Sequence, residues 1–199
     1  MQFCNSRCVL LSCALVLVLA AAARQEVVHA QAAPSQQRSE KTAAAAAAVS
    51  SALKPLEIDI EGLRKILRSG ADSTPQHPLL LNFWATWCDP CREEFPDLLK
   101  VEADYRKRGL EFAAVSFDFS EDVQKAVPDF LREVKADITP YWLNLPDPEP
   151  AIRMVDPQWT GGIPTTFLFD AKGTLVFKHT GKVKVAELRA AIEKVTSDK

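Results

Sequence analysis

The stretch Leu79-Leu80-Leu81-Asn82-Phe83-Trp84-Ala85-Thr86-Trp87-Cys88-Asp89-Pro90-Cys91 decides how this chain is read. Leu79 to Trp84, bounded upstream by His77-Pro78, is an apolar run of the kind that forms a strand buried on both faces. A turn holding Cys88 follows. A helix is then expected from about Pro90 to Arg108, with Phe95, Leu98, Leu99 and Val101 at helical spacing and Gly109 closing it. The cysteine pair thus falls on the first turn of a helix fed by a buried strand. Unpaired backbone N–H groups and the positive end of the helix dipole stabilise a thiolate there. The first cysteine of such a turn can stay exposed and attack, and the second, one turn along, can resolve. Pro90 costs nothing at this place, because the N–H it lacks has no partner at a helix start.

Working outward, Asp59 caps a helix expected over Ile60 to Arg68, with Leu63, Ile66 and Leu67 on one face and Gly70 ending it. Downstream, Glu111 to Ser116 reads as a second buried strand and Val123 to Val134 as a helix. Tyr141 to Leu145 is a short strand, followed by a proline-rich passage from Pro146 to Pro157. Thr165 to Phe169 and Leu175 to His179 are strands joined by the hairpin signal Asp170-Ala171-Lys172-Gly173, and Val185 to Val195 is a closing amphipathic helix. This order predicts an α/β fold, a mixed sheet with helices on both faces.

The N-terminus has the pattern of a secretory leader over residues 1–30, with an apolar run from Val9 to about Ala23 that is short for a membrane span. Cleavage sites are available after Ala23, Ala30 or Ala32, and an uncleaved anchor is the alternative. Residues 31–55, rich in Gln, Ser and Ala, form a low-complexity tether without an apolar face, and the domain occupies 56–199. Cys4, Cys8 and Cys13 would leave with the leader, so the mature chain keeps only Cys88 and Cys91. A pair so close in sequence closes too small a loop to staple a fold, and in an exported protein it points to redox chemistry.

Composition narrows the field. The chain of 199 residues is 47% hydrophobic and 25% charged, with a formal net charge of -2. The basic stripe that phosphate recognition requires is absent, so nucleic acid is not an expected partner. A zinc site would need two ligands beyond the cysteines, and His77 and His179 are the only histidines outside the leader. No cofactor is indicated.

A second element, Gly161-Gly162-Ile163-Pro164-Thr165, places a proline just before a strand. Together, Asn82 to Cys91 with Glu94-Phe95-Pro96 and Gly162-Ile163-Pro164-Thr165-Thr166-Phe167-Leu168 resemble the TlpA/ResA branch of the thioredoxin superfamily. The resemblance runs from about Leu56 to the C-terminus. It implies a thioredoxin-like fold with a central insert and a redox-active disulfide between Cys88 and Cys91. By the same resemblance, Cys88 is the nucleophile, Cys91 the resolving thiol, and Pro164 is cis and presents the backbone of Ile163 to an extended substrate. It further implies reduction of protein disulfides in the periplasm or another extracytoplasmic space, often in cytochrome c biogenesis. The implied partners are disulfide-bearing protein clients and a membrane or periplasmic electron donor, and the chain is expected as a monomer.

Individual residues refine this. Asn82 stands six residues before Cys88, where many thioredoxins carry a buried aspartate, and an amide cannot shuttle protons. Glu94, one turn beyond Cys91, matches an acid this branch keeps near its thiols and is expected within reach of Cys91, directly or through water. The plain alternative is an exposed helix carboxylate, as for Glu93. Asp89 adds negative charge beside the thiols, which opposes thiolate formation and favours a reducing couple. Trp87 is expected to cover the thiols and offer an apolar docking patch, while Trp84, Trp142 and Trp159 are read as core. Two other functions share the fold. A peroxiredoxin-like peroxidase needs a threonine three residues before its cysteine, where this chain has Ala85, and a non-catalytic binding domain has no need of both cysteines and Pro164.

Overall fold

The computed structural model describes residues 53–72 and 77–196, so the expected leader and nearly all of the tether lie outside the described residues. The element order is β1 (Leu56–Ile58), α1 (Ile60–Asp72), β2 (Leu79–Trp84), α2 (Asp89–Tyr105) continued by a 3-10 turn (Arg106–Arg108), β3 (Glu111–Ser116), α3 (Val123–Glu133), β4 (Pro140–Leu143), α4 (Glu149–Val155), β5 (Thr165–Phe169), β6 (Leu175–Thr180) and α5 (Val185–Thr196). One sheet runs β1-β4-β3-β2-β5-β6. β1, β4, β3 and β2 pair in parallel, whereas β5 joins β2 and β6 joins β5 antiparallel. This is the mixed sheet expected, and the segment between β3 and β5 inserts β4 between β1 and β3.

β2 lies at the centre and is buried along its whole length. Alternate side chains of a strand face opposite ways. Leu79, Leu81 and Phe83 accordingly join α1 and α4 through Leu63, Ile66, Ala151, Ile152 and Val155. On the other face, Trp84 packs with Phe95 of α2 and Phe130 of α3, and Leu80 packs with Leu98, Leu188 and Ile192 of α2 and α5. Asn82 also points to this second face, toward α2.

Several local readings differ from the expectation. Gly70 lies inside α1 instead of ending it, and a short edge strand, β1, precedes that helix. The proline-rich passage contains α4. Pro148 is its N-cap and Pro150 sits in its first turn, where a missing N–H is tolerated, while Ala151, Ile152 and Val155 supply the buried stripe. Leu53, read as the end of the tether, is buried beside Trp84 and Phe95. Elsewhere the local signals act as expected. Asp59 Oδ1 accepts the Gly62 N–H at 2.8 Å, and Gly109 takes φ 86° after the 3-10 turn. The β5–β6 turn is held by Asp170 Oδ1, which accepts from the backbone of Lys172 and Thr174, with Gly173 at φ 81°.

Candidate active site

Cys88 is the N-cap of α2 with extended backbone (φ -96°, ψ 99°), and its sulfur accepts the Cys91 N–H at 3.3 Å. The Cys88 carbonyl receives the first helical bond from Arg92, at 3.1 Å. The two sulfurs are joined as a disulfide with the Cα atoms 5.3 Å apart. Cys88 is 7% exposed and Cys91 is fully enclosed. An attacking or attacked sulfur is therefore reached from the Cys88 side, though Cys88 offers only an edge to solvent rather than the open side chain expected. Asp89 and Pro90 are exposed beside it.

Glu94 lies on the buried stripe of α2, with Cys91, Phe95 and Leu98, and is 1% exposed. Its oxygens bond elsewhere than the sulfurs. Asn82 Nδ2 donates to Oε1 at 3.0 Å, and the Val183 N–H donates to Oε2 at 2.7 Å. Burial pushes the Glu94 carboxyl above its ordinary value of 4.5, and the donors Val183 and Asn82 and the charge of Lys182 pull partly the other way. Asn82, wholly buried, also donates to Thr166 Oγ1 at 3.1 Å, and its own Oδ1 has no partner among the described residues. Residue 82 thus does not carry a proton, but it holds the group that can.

The loop before β5 packs on the same place. The Ile163–Pro164 peptide is cis, and Ile163 is half-buried against the cluster that contains both cysteines. The Gly162 carbonyl accepts from Trp159 Nε1 at 3.0 Å and from Thr165 Oγ1 at 2.7 Å. Gly161 has φ +78°, a left-handed backbone that favours glycine, and a Cβ there would lie 2.6 Å from Ile152 Cδ1, which would have to shift. The Ile163 N–H and C=O take no partner among the described residues.

Trp84, Trp142 and Trp159 are core, as expected, and Trp87 is exposed. Reading the sequence missed Asp118. It is buried, and its carboxylate accepts from the Thr86 N–H at 3.1 and 3.2 Å, from the Thr86 hydroxyl, and from Ser116 Oγ at 2.5 Å. Asp118 thereby anchors the turn that delivers Cys88. Its one sequence signal is its place directly beyond a buried parallel strand, where loops converge on α/β sites.

The AhpC/TSA family model matches residues 68–178, more than half of the chain. The chain belongs to the AhpC/TSA family. It is similar to the thiol-disulfide oxidoreductase ResA of Bacillus cereus, at 29% identity over 59% of this chain and 63% of that protein. Its similarity to ResA of Oceanobacillus iheyensis is 38% over 49% of this chain and 46% of that one. Similarity to ResA of Bacillus subtilis (strain 168) is 34% over 52% of each. The chain thus spans about half to somewhat under two thirds of the length of these curated relatives. Among solved structures, a thiol:disulfide interchange protein of the thioredoxin family from Chlorobium tepidum TLS superposes with a TM-score of 0.51. It is 26% identical and covers 60% of this chain and 80% of that one. With the sheet order above, these matches make this a ResA-like member of the thioredoxin superfamily.

Proposed function

We infer that the chain is an exported thiol–disulfide oxidoreductase that reduces disulfides in protein clients. The observation that carries this reading is the Cys88–Cys91 disulfide at the start of α2, with only Cys88 reaching the surface. In the reduced state the Cys88 thiolate attacks one sulfur of a client disulfide. That S–S bond breaks, one client thiolate leaves, and a mixed disulfide forms. Cys91 then loses its proton and attacks Cys88, which releases the second client thiolate and restores the Cys88–Cys91 disulfide. Two electrons pass to the client, and two protons end on its thiols. A dithiol donor at the membrane or in the periplasm must return the electrons.

Helix-start N–H groups favour the Cys88 thiolate, and Glu94 is the buried acid that exchanges a proton with the Cys91 side of the pair. Pro164 and the unpaired backbone of Ile163 receive the client as an added strand, with Trp87 covering its flank. Cytochrome c maturation is the setting that the family resemblance favours. Export rests on the leader pattern, either cleaved or retained as a tether. Among the described residues no helix is long and apolar enough to cross a membrane.

The test is reduction of insulin disulfides by dithiothreitol, followed by turbidity. The wild type should shorten the lag and Cys88→Ser should behave as buffer; equal lags with and without the protein would refute the activity. Hydrogen peroxide consumption, the peroxidase alternative, should stay at the background rate, since Ala85 brings no hydroxyl to the sulfur.

A further inference from the structure

Trp87 and Phe119 are 55% and 60% exposed, yet their rings stack at 6.1 Å and within 23° of parallel. Large aromatic rings left in water beside a reactive sulfur are the residue type that anchors interfaces. These two are also fixed from behind. The Thr86–Asp118 hydrogen bonds join the residues that immediately precede each ring. The Asp118 carbonyl accepts Trp142 Nε1 at 2.9 Å, and the Phe119 carbonyl accepts the N–H groups of Asp122 and Val123. One ring therefore rides on the turn that carries Cys88 and the other on the loop that leads into α3, with the buried Asp118 carboxylate tying the two segments together.

Phe119 is also one wall of a cleft of about 420 Å³, shared with Phe117, Trp142, Leu145 and Pro146. The rim is acidic. Asp89 follows Trp87 and Cys88, Glu121 and Asp122 follow Phe119, and all three are exposed. Arg92 pairs with Glu133 at 3.1 Å and Lys125 with Asp129 at 2.6 Å. An exposed aromatic pair flanked by exposed carboxylates complements an apolar segment that carries positive charge.

We propose that the Trp87–Phe119 pair and its adjoining cleft dock the client polypeptide, selecting segments with an aromatic or large aliphatic residue beside the disulfide cysteine and Lys or Arg close by. This rests on the reading of Cys88 and Cys91 as exchanging protein disulfides, and it names which clients are favoured.

The reduced full chain is mixed in stopped flow with short peptides whose single cysteine is disulfide-linked to nitrothiobenzoate, and with glutathione carrying the same reporter. The peptides place Trp and Lys, Ser and Lys, or Trp and Glu around the cysteine. The Trp–Lys peptide should react about tenfold faster than the Ser–Lys peptide, the scale of one anchoring aromatic. It should also outpace the Trp–Glu peptide at low salt, with that advantage fading toward about 1 M salt. Phe119→Ser should lower the ratio of the Trp–Lys peptide rate to the glutathione rate about tenfold, and Phe119→Tyr should keep it. Glu121→Gln combined with Asp122→Asn should level the Lys and Glu peptides. If the wild type reacts with every disulfide without discrimination, or Phe119→Ser leaves the ratio intact, the docking surface is refuted while the redox reading stands. If the wild type reacts with none of them, both fall.

Discussion

The side-chain amide of Asn82 meets Oε1 of Glu94 at 3.0 Å in the interior, between the central strand and the helix that begins with the redox pair. A strand residue and a helix residue therefore share control of one buried proton site. Burial favours the neutral acid, and the donated N–H groups favour the carboxylate.

Glu94 should make folding stability depend on pH in a defined direction. Below its ordinary value of 4.5 the carboxyl is protonated in both folded and unfolded chains. Above that, the unfolded chain releases the proton first, because the folded value is raised. Stability should therefore fall as pH rises from 4.5 through the folded value, then level off. Glu94→Gln should lack this decline. Urea unfolding from mildly acidic to alkaline pH measures it; parallel curves for wild type and variant would mean that Glu94 carries no such shift.

Thiol reactivity should carry the same signature. Ionised Glu94 places negative charge one turn from Cys91 and opposes thiolate formation, so the pH profile of alkylation in the reduced wild type should bend where Glu94 titrates. Glu94→Gln should show a simpler profile. Asn82→Ala removes a donor from the carboxylate and should move the bend to higher pH, at a cost of about 1–3 kcal/mol in stability. Superimposable profiles in all three proteins would make Glu94 a spectator.

Much of this arrangement was legible in the sequence, and the exceptions have physical causes. Leu79 to Trp84 announced a buried strand, and Cys88-Asp89-Pro90-Cys91 a helix start, because burial and capping leave local marks. α4 was hidden because prolines usually break helices, and only their confinement to the N-cap and first turn makes Pro148 and Pro150 harmless. The burial of Glu94 was written in its spacing from Cys91, Phe95 and Leu98, but its partner Val183 comes from a loop 89 positions away. Asp118 left only its place just beyond β3 as a sign and Phe119 none, since their contacts with Thr86 and Trp87 exist only once β2 and β3 lie side by side.

Asp118→Ala should loosen the turn before Cys88. The Thr86 N–H would lose its acceptor inside the fold, and a buried bond to a charged group is worth about 1.5–3 kcal/mol. A drop of about 2 kcal/mol in urea unfolding is expected, together with slower exchange toward peptides. Unchanged stability would show that the Thr86–Asp118 contact is not what holds the turn.

The couple should be reducing. Asp89 next to Cys88 opposes thiolate formation, and a midpoint potential of roughly −220 to −300 mV is expected from glutathione redox titration. A value above about −160 mV would mark an oxidant.

The assignment of Cys88 as nucleophile and Cys91 as resolving thiol is tested most directly by trapping. Reduced Cys91→Ser is mixed with a peptide disulfide and examined by mass spectrometry after proteolysis. A stable mixed disulfide should accumulate on Cys88, and the counterpart Cys88→Ser should accumulate little on Cys91, which is sealed in the core. Rapid adduct formation on Cys91 with none on Cys88 would contradict the account.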